Sequence, residues 1–252
     1  MDYNNSGILI EGLTSISALI NAIRKGVNNR KIYKVYICED VVQKKKRELS
    51  FLKHASDELE FVIEVISNDD FSAIVQGSTH GGIAALCSER MFCEVESKKI
   101  PDKGVFALLD GIEDPYNYAY TVRSLYAAGF DGIILPPRNW SSADAVVAKS
   151  SAGTSELMPT LVDDPVSAIS EFKKAGYKIV SAGIRDSVSL FEANLSAPIV
   201  LIIGGEKRGI SRSLLDLSDA VVRIDYGRDF MGSLTTSCSS AVIAFEIMRQ
   251  NR

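Results

Sequence analysis

Apolar residues recur at helical spacing near the start of the chain. Leu13, Ile16, Leu19, Ile20 and Ile23 predict a helix within residues 8–31 that closes at Gly26. The period then changes. "KIYKVYICED" (31–40) alternates Ile32, Val35 and Ile37 in a β-rich run and reads as a strand. A charged helix follows over "VVQKKKRELSFLKHASDE", then a strand "FVIEVI" (61–66). The helical "NDDFSAIVQG" comes next, with Asn68 or Asp69 as its cap, and "GGIAALCSE" (81–89) reads as a further strand. Alternating helices and strands over about 90 residues suffice for a small α/β domain.

The segment 95–104, "VESKKIPDKG", is polar, charged and broken by Pro101 and Gly104, which places a linker over 96–104 between domains 1–95 and 105–252. Beyond it the pattern restarts. Strands are predicted at 105–111, 132–137, 177–183, 198–203 and 220–225. Helices are predicted at 117–129, around 141–150, at 164–176, at 211–216 and from about 234 to 250. Strands this continuously apolar are buried on both faces, so the second domain is expected to hold a mostly parallel sheet. The chain shows no internal repeat and no low-complexity tract.

Composition narrows the classes. Of the 252 residues, 46% are hydrophobic and 24% charged, ordinary values for a globular protein. No apolar run approaches the roughly 20 residues of a membrane helix. The opening "MDYNNSGILIEG" has no basic stretch followed by an apolar one, so no secretory signal is expected. Cys38, Cys87, Cys93 and Cys238 are scattered, without C-x-x-C and with only two histidines. That argues against a zinc site and for a reduced, cytoplasmic setting. A net charge of −4 gives no overall pull toward nucleic acid. The local runs Lys44-Lys45-Lys46-Arg47 and Lys98-Lys99 are either solvated faces or binding patches.

Three clusters carry candidate chemistry. In "LLDGIEDPYNYAYTVRSLYAAG" (108–129), Pro115 ends a turn and Asn117 stands where an N-cap is expected. Ala119, Val122, Leu125 and Tyr126 form the apolar stripe, with Arg123 beside it near the carboxyl edge of the sheet, where open α/β sheets bind ligands. Asn117 is a cap or a site residue, and Arg123 a surface arginine or a site residue. In "APIVLIIGGEKRGISRSLLDLSD" (197–219) a strand runs into Gly204-Gly205-Glu206-Lys207-Arg208-Gly209. The glycine spacing is that of a P-loop, but Ile210-Ser211 stands in place of Lys-Ser/Thr. Glu206 likewise defeats the dinucleotide fingerprint. The third cluster, "GSLTTSCSSAVIAFEIM" (232–248), is a Gly-Ser turn before a helix rich in small residues.

In this order the clusters resemble the three motifs of the SpoU/TrmH (SPOUT) family of RNA ribose methyltransferases: "DPYNYAYTVRS", "LIIGGEKRGI" and "SLTTSCSSAVIAFE". The front part, "GLTSISALINAIRKG…IYKVYICED…THGGIAAL", is similar to that family's N-terminal RNA-binding domain of ribosomal-protein type. The resemblance implies an α/β catalytic domain with a parallel sheet and a deep C-terminal trefoil knot. It implies S-adenosyl-L-methionine as methyl donor, a homodimer around the cofactor site, and RNA as substrate, rRNA rather than tRNA. Gly204, Gly205, Ile224 and Leu234 would hold the cofactor. Asn117, Arg123, Glu206, Ser233 and Thr235 would form the catalytic set, with Arg123 orienting the ribose oxygen and a phosphate. His80 is a packed or capping histidine, or an RNA contact. The chain departs from the family pattern at Thr235 (usually Asn), at Asp225-Tyr226 (usually Pro-Met), at Ala119 (usually Gly) and in "HGGI" (usually "HQGI"). These departures leave open an alternative, an RNA-binding protein of the same fold with weakened catalysis.

Overall fold

The computed structural model describes residues 7–96, 99–138 and 143–252. Lys98, the opening residues 1–6 and the start of the helix expected around 141–150 lie outside the described residues. The strands are β1 (Ile8–Glu11), β2 (Ile32–Cys38), β3 (Val62–Ile66), β4 (Ile83–Cys87), β5 (Val105–Asp110), β6 (Gly132–Leu135), β7 (Thr160–Val162), β8 (Lys178–Ala182), β9 (Val188–Ser189), β10 (Ile199–Gly204) and β11 (Ala220–Arg223). The helices are α1 (Leu13–Arg24), α2 (Lys46–Leu59), α3 (Asn68–Ile74), α4 (Pro115–Ala127), α5 (Asp144–Ser150), α6 (Thr154–Leu157), α7 (Pro165–Lys174), α8 (Arg212–Leu217) and α9 (Thr236–Gln250). No described helix is long and apolar enough to cross a membrane.

Two compact units form. One holds the described residues up to Met91 together with those of the segment 139–157, the other residues 92–138 and 158–252. A single linear boundary at 96–104 does not provide for this return: α5 and α6 pack in the first unit. The sheet of that unit has the order β1-β4-β2-β3, antiparallel except for the β2–β3 pair. Strand β1 occupies residues that belong by expectation to a helical stretch. Gly12, at φ 84, lies in the region that strains any side chain, so the helix starts only at Leu13 and Ile8–Glu11 pair with β4. The charged helix also begins late. Residues 39–41 form one 3-10 turn, Val41 and Val42 turn toward the core, and α2 starts at Lys46. Ile16, Leu19 and Ile20 of α1 meet Val35, Ile37, Leu52 and Ile83 in a common core.

The segment 143–157 is tied into this unit by charge. Arg30, 4% exposed, donates Nε–H to Glu156 Oε2 at 2.9 Å and Nη2–H to Asp144 Oδ2 at 2.7 Å. Asn28 Nδ2 donates to the same Glu156 oxygen at 2.6 Å. Burial disfavours the charged guanidinium, but the two carboxylates outweigh it and raise the Arg30 pKa. Burial holds the Asp144 carboxyl above its ordinary range despite that arginine.

The second unit holds a seven-stranded sheet, parallel throughout its described pairings, in the order β7-β6-β5-β10-β8-β11-β9. Its central strands are apolar runs: Ile199 to Ile203 are all buried, as are Phe106 to Leu109. From β5 the chain builds outward through β6 and β7, then crosses to β8, and β10 later fills the gap between β5 and β8. That reversal of direction is a topological switch point, where open α/β sheets form crevices at the carboxyl ends of their strands. The short β7, β9 and α6 have no counterpart in the sequence pattern.

Candidate functional site

The three clusters follow β5, β10 and β11, strands whose carboxyl ends lie on one edge of the sheet around the switch point. The loop after β10 is clasped to the end of β5. Gly204 pairs in register with Asp110, Gly205 N–H donates to Asp110 O at 2.7 Å, and Asp110 Oδ2 accepts from Ser211 N–H at 2.9 Å. Gly205 and Gly209 bridge each other across the turn. A β-carbon on Gly204 would lie 2.5 Å from Gly209 C and 2.6 Å from Ile210 N, and one on Gly205 would overlap the Gly111 carbonyl. The absent side chains therefore make room for neighbouring backbone.

Asn117 is not the N-cap of α4. Asp114 takes that place, its Oδ1 accepting from Asn117 N–H at 2.8 Å, and Pro115 is the first helical residue instead of ending the turn. Freed from capping, the Asn117 side chain joins all three clusters. Its Nδ2 donates to Glu206 Oε1 at 2.8 Å, and its Oδ1 accepts from Ser237 Oγ at 3.2 Å. Ser237 Oγ in turn lies 3.1 Å from Thr235 Oγ1, which caps α9 by accepting from Cys238 N–H at 3.3 Å. Ser237 was not singled out in the sequence, where it is one serine among several. Beside this junction Lys207 and Glu113 pair at 2.7 Å, and that hydrogen bond draws the Glu113 carboxyl below its ordinary pKa.

The other expected residues stand apart from the junction. The Arg123 side chain is exposed and has no hydrogen bond or ion pair among the described residues. Six residues beyond Asn117, it lies about 120° round the helix from it. Its face is that of Tyr116 and Tyr120, which are 52% and 46% exposed with ring centroids 6.5 Å apart. Ser233 is exposed in the loop before α9, and Ile224 is half-buried just after β11. Leu234 is exposed, and its N–H donates to the Tyr226 hydroxyl at 3.1 Å. Residues 225–230 and Leu234 line an open cleft of about 540 Å³. In the first unit, His80 Nδ1 accepts from Gly82 N–H at 3.0 Å and its ring packs 5.0 Å from Phe71, so it is built into its own turn. Lys45 reaches Gly81 O at 2.7 Å, while Lys44, Lys46 and Arg47 are exposed.

The four residues that the resemblance assigns to the cofactor would offer it turn backbone at Gly204 and Gly205 and two apolar side chains, Ile224 and Leu234, that retain accessible surface. The set contains no cation, and such a set fits a positively charged sulfonium nucleoside.

Residues 104–245 match the model of the SpoU rRNA Methylase family. A TrmH family tRNA/rRNA methyltransferase of Staphylococcus haemolyticus is 25% identical over 230 residues, 89% of this chain and 90% of that protein. An AdoMet-bound rRNA methyltransferase from Sinorhizobium meliloti superposes with a TM-score of 0.78 at 21% identity, covering 96% of this chain and 87% of that one. A solved RNA 2′-O ribose methyltransferase gives a TM-score of 0.76 at 23% identity, covering 97% and 88%.

Proposed function

Because the chain belongs to the SpoU rRNA Methylase family, we propose that it methylates a ribose 2′-hydroxyl of RNA, in rRNA rather than tRNA. The observation that carries this reading is the Asn117 junction, which joins the loops after β5, β10 and β11 through Glu206 and Ser237. S-adenosylmethionine, when bound, supplies the electrophilic methyl group. Gly204, Gly205, Ile224 and Leu234 hold it at the carboxyl edge of the sheet. Asn117 fixes Glu206 through Oε1 and leaves Oε2 to accept a hydrogen bond from the ribose. Arg123, always protonated, orients the 2′-oxygen and a neighbouring phosphate and is not the base. Thr235 replaces the usual asparagine with one hydroxyl, enough to cap α9 and reach Ser237.

A second copy of the chain completes the site. Tyr116 and Tyr120 on α4 and Val242 and Phe245 on α9, two helices that pack together, expose apolar surface that a partner copy covers. Arg123 shares the α4 face, so each arginine is presented at the interface. Threading of the chain through the loops before α9 gives the trefoil knot, in keeping with the strand order β10-β8-β11 and the return of α9 to α4. The first unit is the RNA-binding domain, with Lys44, Lys46 and Arg47 as its phosphate contacts. The relative with rRNA activity matches over 96% of the chain, this unit included, which favours rRNA.

The test is transfer of labelled methyl groups from S-adenosylmethionine to unmodified rRNA transcripts, with nucleoside analysis of the product. A 2′-O-methylnucleoside is expected, and Arg123→Lys should lose most of the activity. A base-methylated product, or full activity in Arg123→Lys, would sink the assignment.

A further inference from the structure

A group of cations at the carboxyl edge of the second sheet, beside the Asn117 junction, has no role in the assignments above. Strands β6, β5 and β10 are neighbours there, and the loop after each contributes to the group. Arg138, three residues past β6, donates Nη1–H to Ile112 O at 2.9 Å. Lys207, three residues past β10, reaches the side chain of the next residue, Glu113 Oε2, at 2.7 Å. The Arg208 side chain is exposed and has no hydrogen bond or ion pair among the described residues. The Lys207 hydrogen bond, and after it the charges of Lys207, Arg208 and Arg138, hold the Glu113 carboxyl below its ordinary pKa, so all three cations act on one acid. The other acids of these loops are occupied elsewhere. Asp110 Oδ2 takes Ser211 N–H, Asp114 Oδ1 caps α4, and Glu206 Oε1 takes the Asn117 amide.

The three cations are exposed, Lys207 with 78% of its side chain, while those acids are bound to amides. Exposed guanidinium and ammonium groups on adjoining loops suit phosphate oxygens, and phosphate contacts fix the register of a nucleic acid on a protein. We propose that Arg138, Lys207 and Arg208 hold the sugar–phosphate backbone of the RNA substrate beside its target ribose, with Glu113 occupying Lys207 until the RNA arrives. The proposal rests on the RNA methyltransferase reading above and gives the second unit an RNA contact of its own, in addition to Lys44, Lys46 and Arg47 of the first. It accounts for a cluster of exposed cations in a chain whose net charge is −4.

The test is fluorescence anisotropy of labelled rRNA transcripts bound by the full-length protein, with affinity followed from about 50 to 300 mM salt. Arg138→Gln and Arg208→Gln should each flatten the slope of log affinity against log salt by about one. Each should weaken binding about fivefold near 0.1 M salt, equally for transcripts of different sequence. Arg208→Lys keeps the charge and should keep the slope, and Glu113→Gln should tighten binding by releasing Lys207. Lys174→Gln, where α7 leads to the amino edge of the sheet, is the control and should leave binding unchanged. Calorimetric affinity for S-adenosylmethionine and the melting temperature should hold in the arginine variants. If Arg138→Gln unfolds, Arg208→Gln, which breaks no bond in the structure, carries the test. In turnover the RNA KM should rise while kcat holds. Unchanged slopes overturn the proposal, as does a loss confined to one sequence, which would mark a base contact. A fall in kcat at unchanged KM would place the arginines in catalysis and overturn it too, and weaker binding by Glu113→Gln would overturn the role given to Glu113. Methyl transfer is scored separately. A flattened slope without transfer sinks the enzymatic reading alone, and transfer with wild-type slopes in the arginine variants sinks the phosphate site alone.

Discussion

Replacing Gly204 with alanine tests whether the glycine turn is built for its own backbone. The new β-carbon would stand 2.5 Å from Gly209 C, about 0.9 Å short of the 3.4 Å at which ordinary contact begins. The neighbours are main-chain atoms, so no side chain can swing aside. The turn has to open, and the Gly209 N–H to Gly205 O bond of 3.1 Å goes with it. Overpacking of this kind costs about 1–3 kcal/mol and a lost backbone hydrogen bond about 1 kcal/mol more, giving roughly 2–4 kcal/mol in all. Glu206 lies two residues on and would be carried away from Asn117. The hydrogen bond between them involves a charged acceptor, worth about 1.5–3 kcal/mol, so methyl transfer should fall tenfold or more. Urea unfolding measures the first quantity and initial rates on rRNA transcripts the second. Gly227→Ala is the control: nothing lies within 4 Å of its β-carbon position, and its stability should change by less than about 0.5 kcal/mol. A Gly204→Ala protein with wild-type unfolding midpoint and rate would refute the argument.

Arg30→Met leaves Glu156 and Asp144 facing each other in a buried site without their cation, and should cost about 3–5 kcal/mol in urea unfolding. A loss below 1 kcal/mol would show that the group is wetter than it stands here. Burial alone would raise the pKa of Glu11, but hydrogen bonds from Lys149 and from the Gln76 and Gly77 amides outweigh it and hold the carboxyl below its ordinary value. Glu11 therefore adds stability above its unfolded pKa of about 4.3, and that contribution is lost as pH falls through the lower folded value. Lys149→Met should flatten this acid limb in unfolding midpoints taken from pH 3 to 7, and an unchanged limb would contradict the assignment. Cys93 and Cys238 are exposed, whereas Cys38 and Cys87 are buried, and burial pushes the Cys87 thiol far up. Two thiols should react with a disulfide reagent in the native protein, and four after unfolding.

The apolar runs disclosed the strands of the second unit because a parallel sheet buries both faces, and periodicity needs no knowledge of partners to show that. Other features depend on residues far away in the chain. Nothing within "ILIE" tells that Ile8–Glu11 pair with β4 more than seventy residues later. Nor does "ADAVVAKSSAG" reveal that its helix returns to the first unit, because the reason is Arg30 meeting Asp144 and Glu156. The site divides along the same line. Asn117, Glu206 and Thr235 were legible as members of an ordered motif set, and the structure joins Glu206 to Asn117 directly and Thr235 to Asn117 through Ser237. Their duties were less legible: Asp114 competes with Asn117 for the cap and wins because it directly precedes Pro115, which fixes the first helical position. The glycines make the sharpest case. A strand running into Gly-Gly has the same sequence whether the missing side chains admit a ligand or a neighbouring loop. The positions of Gly111 and Gly209 show that a side chain at Gly204 or Gly205 would meet neighbouring backbone. The glycine pair thus lets the turn close and brings Glu206 to Asn117.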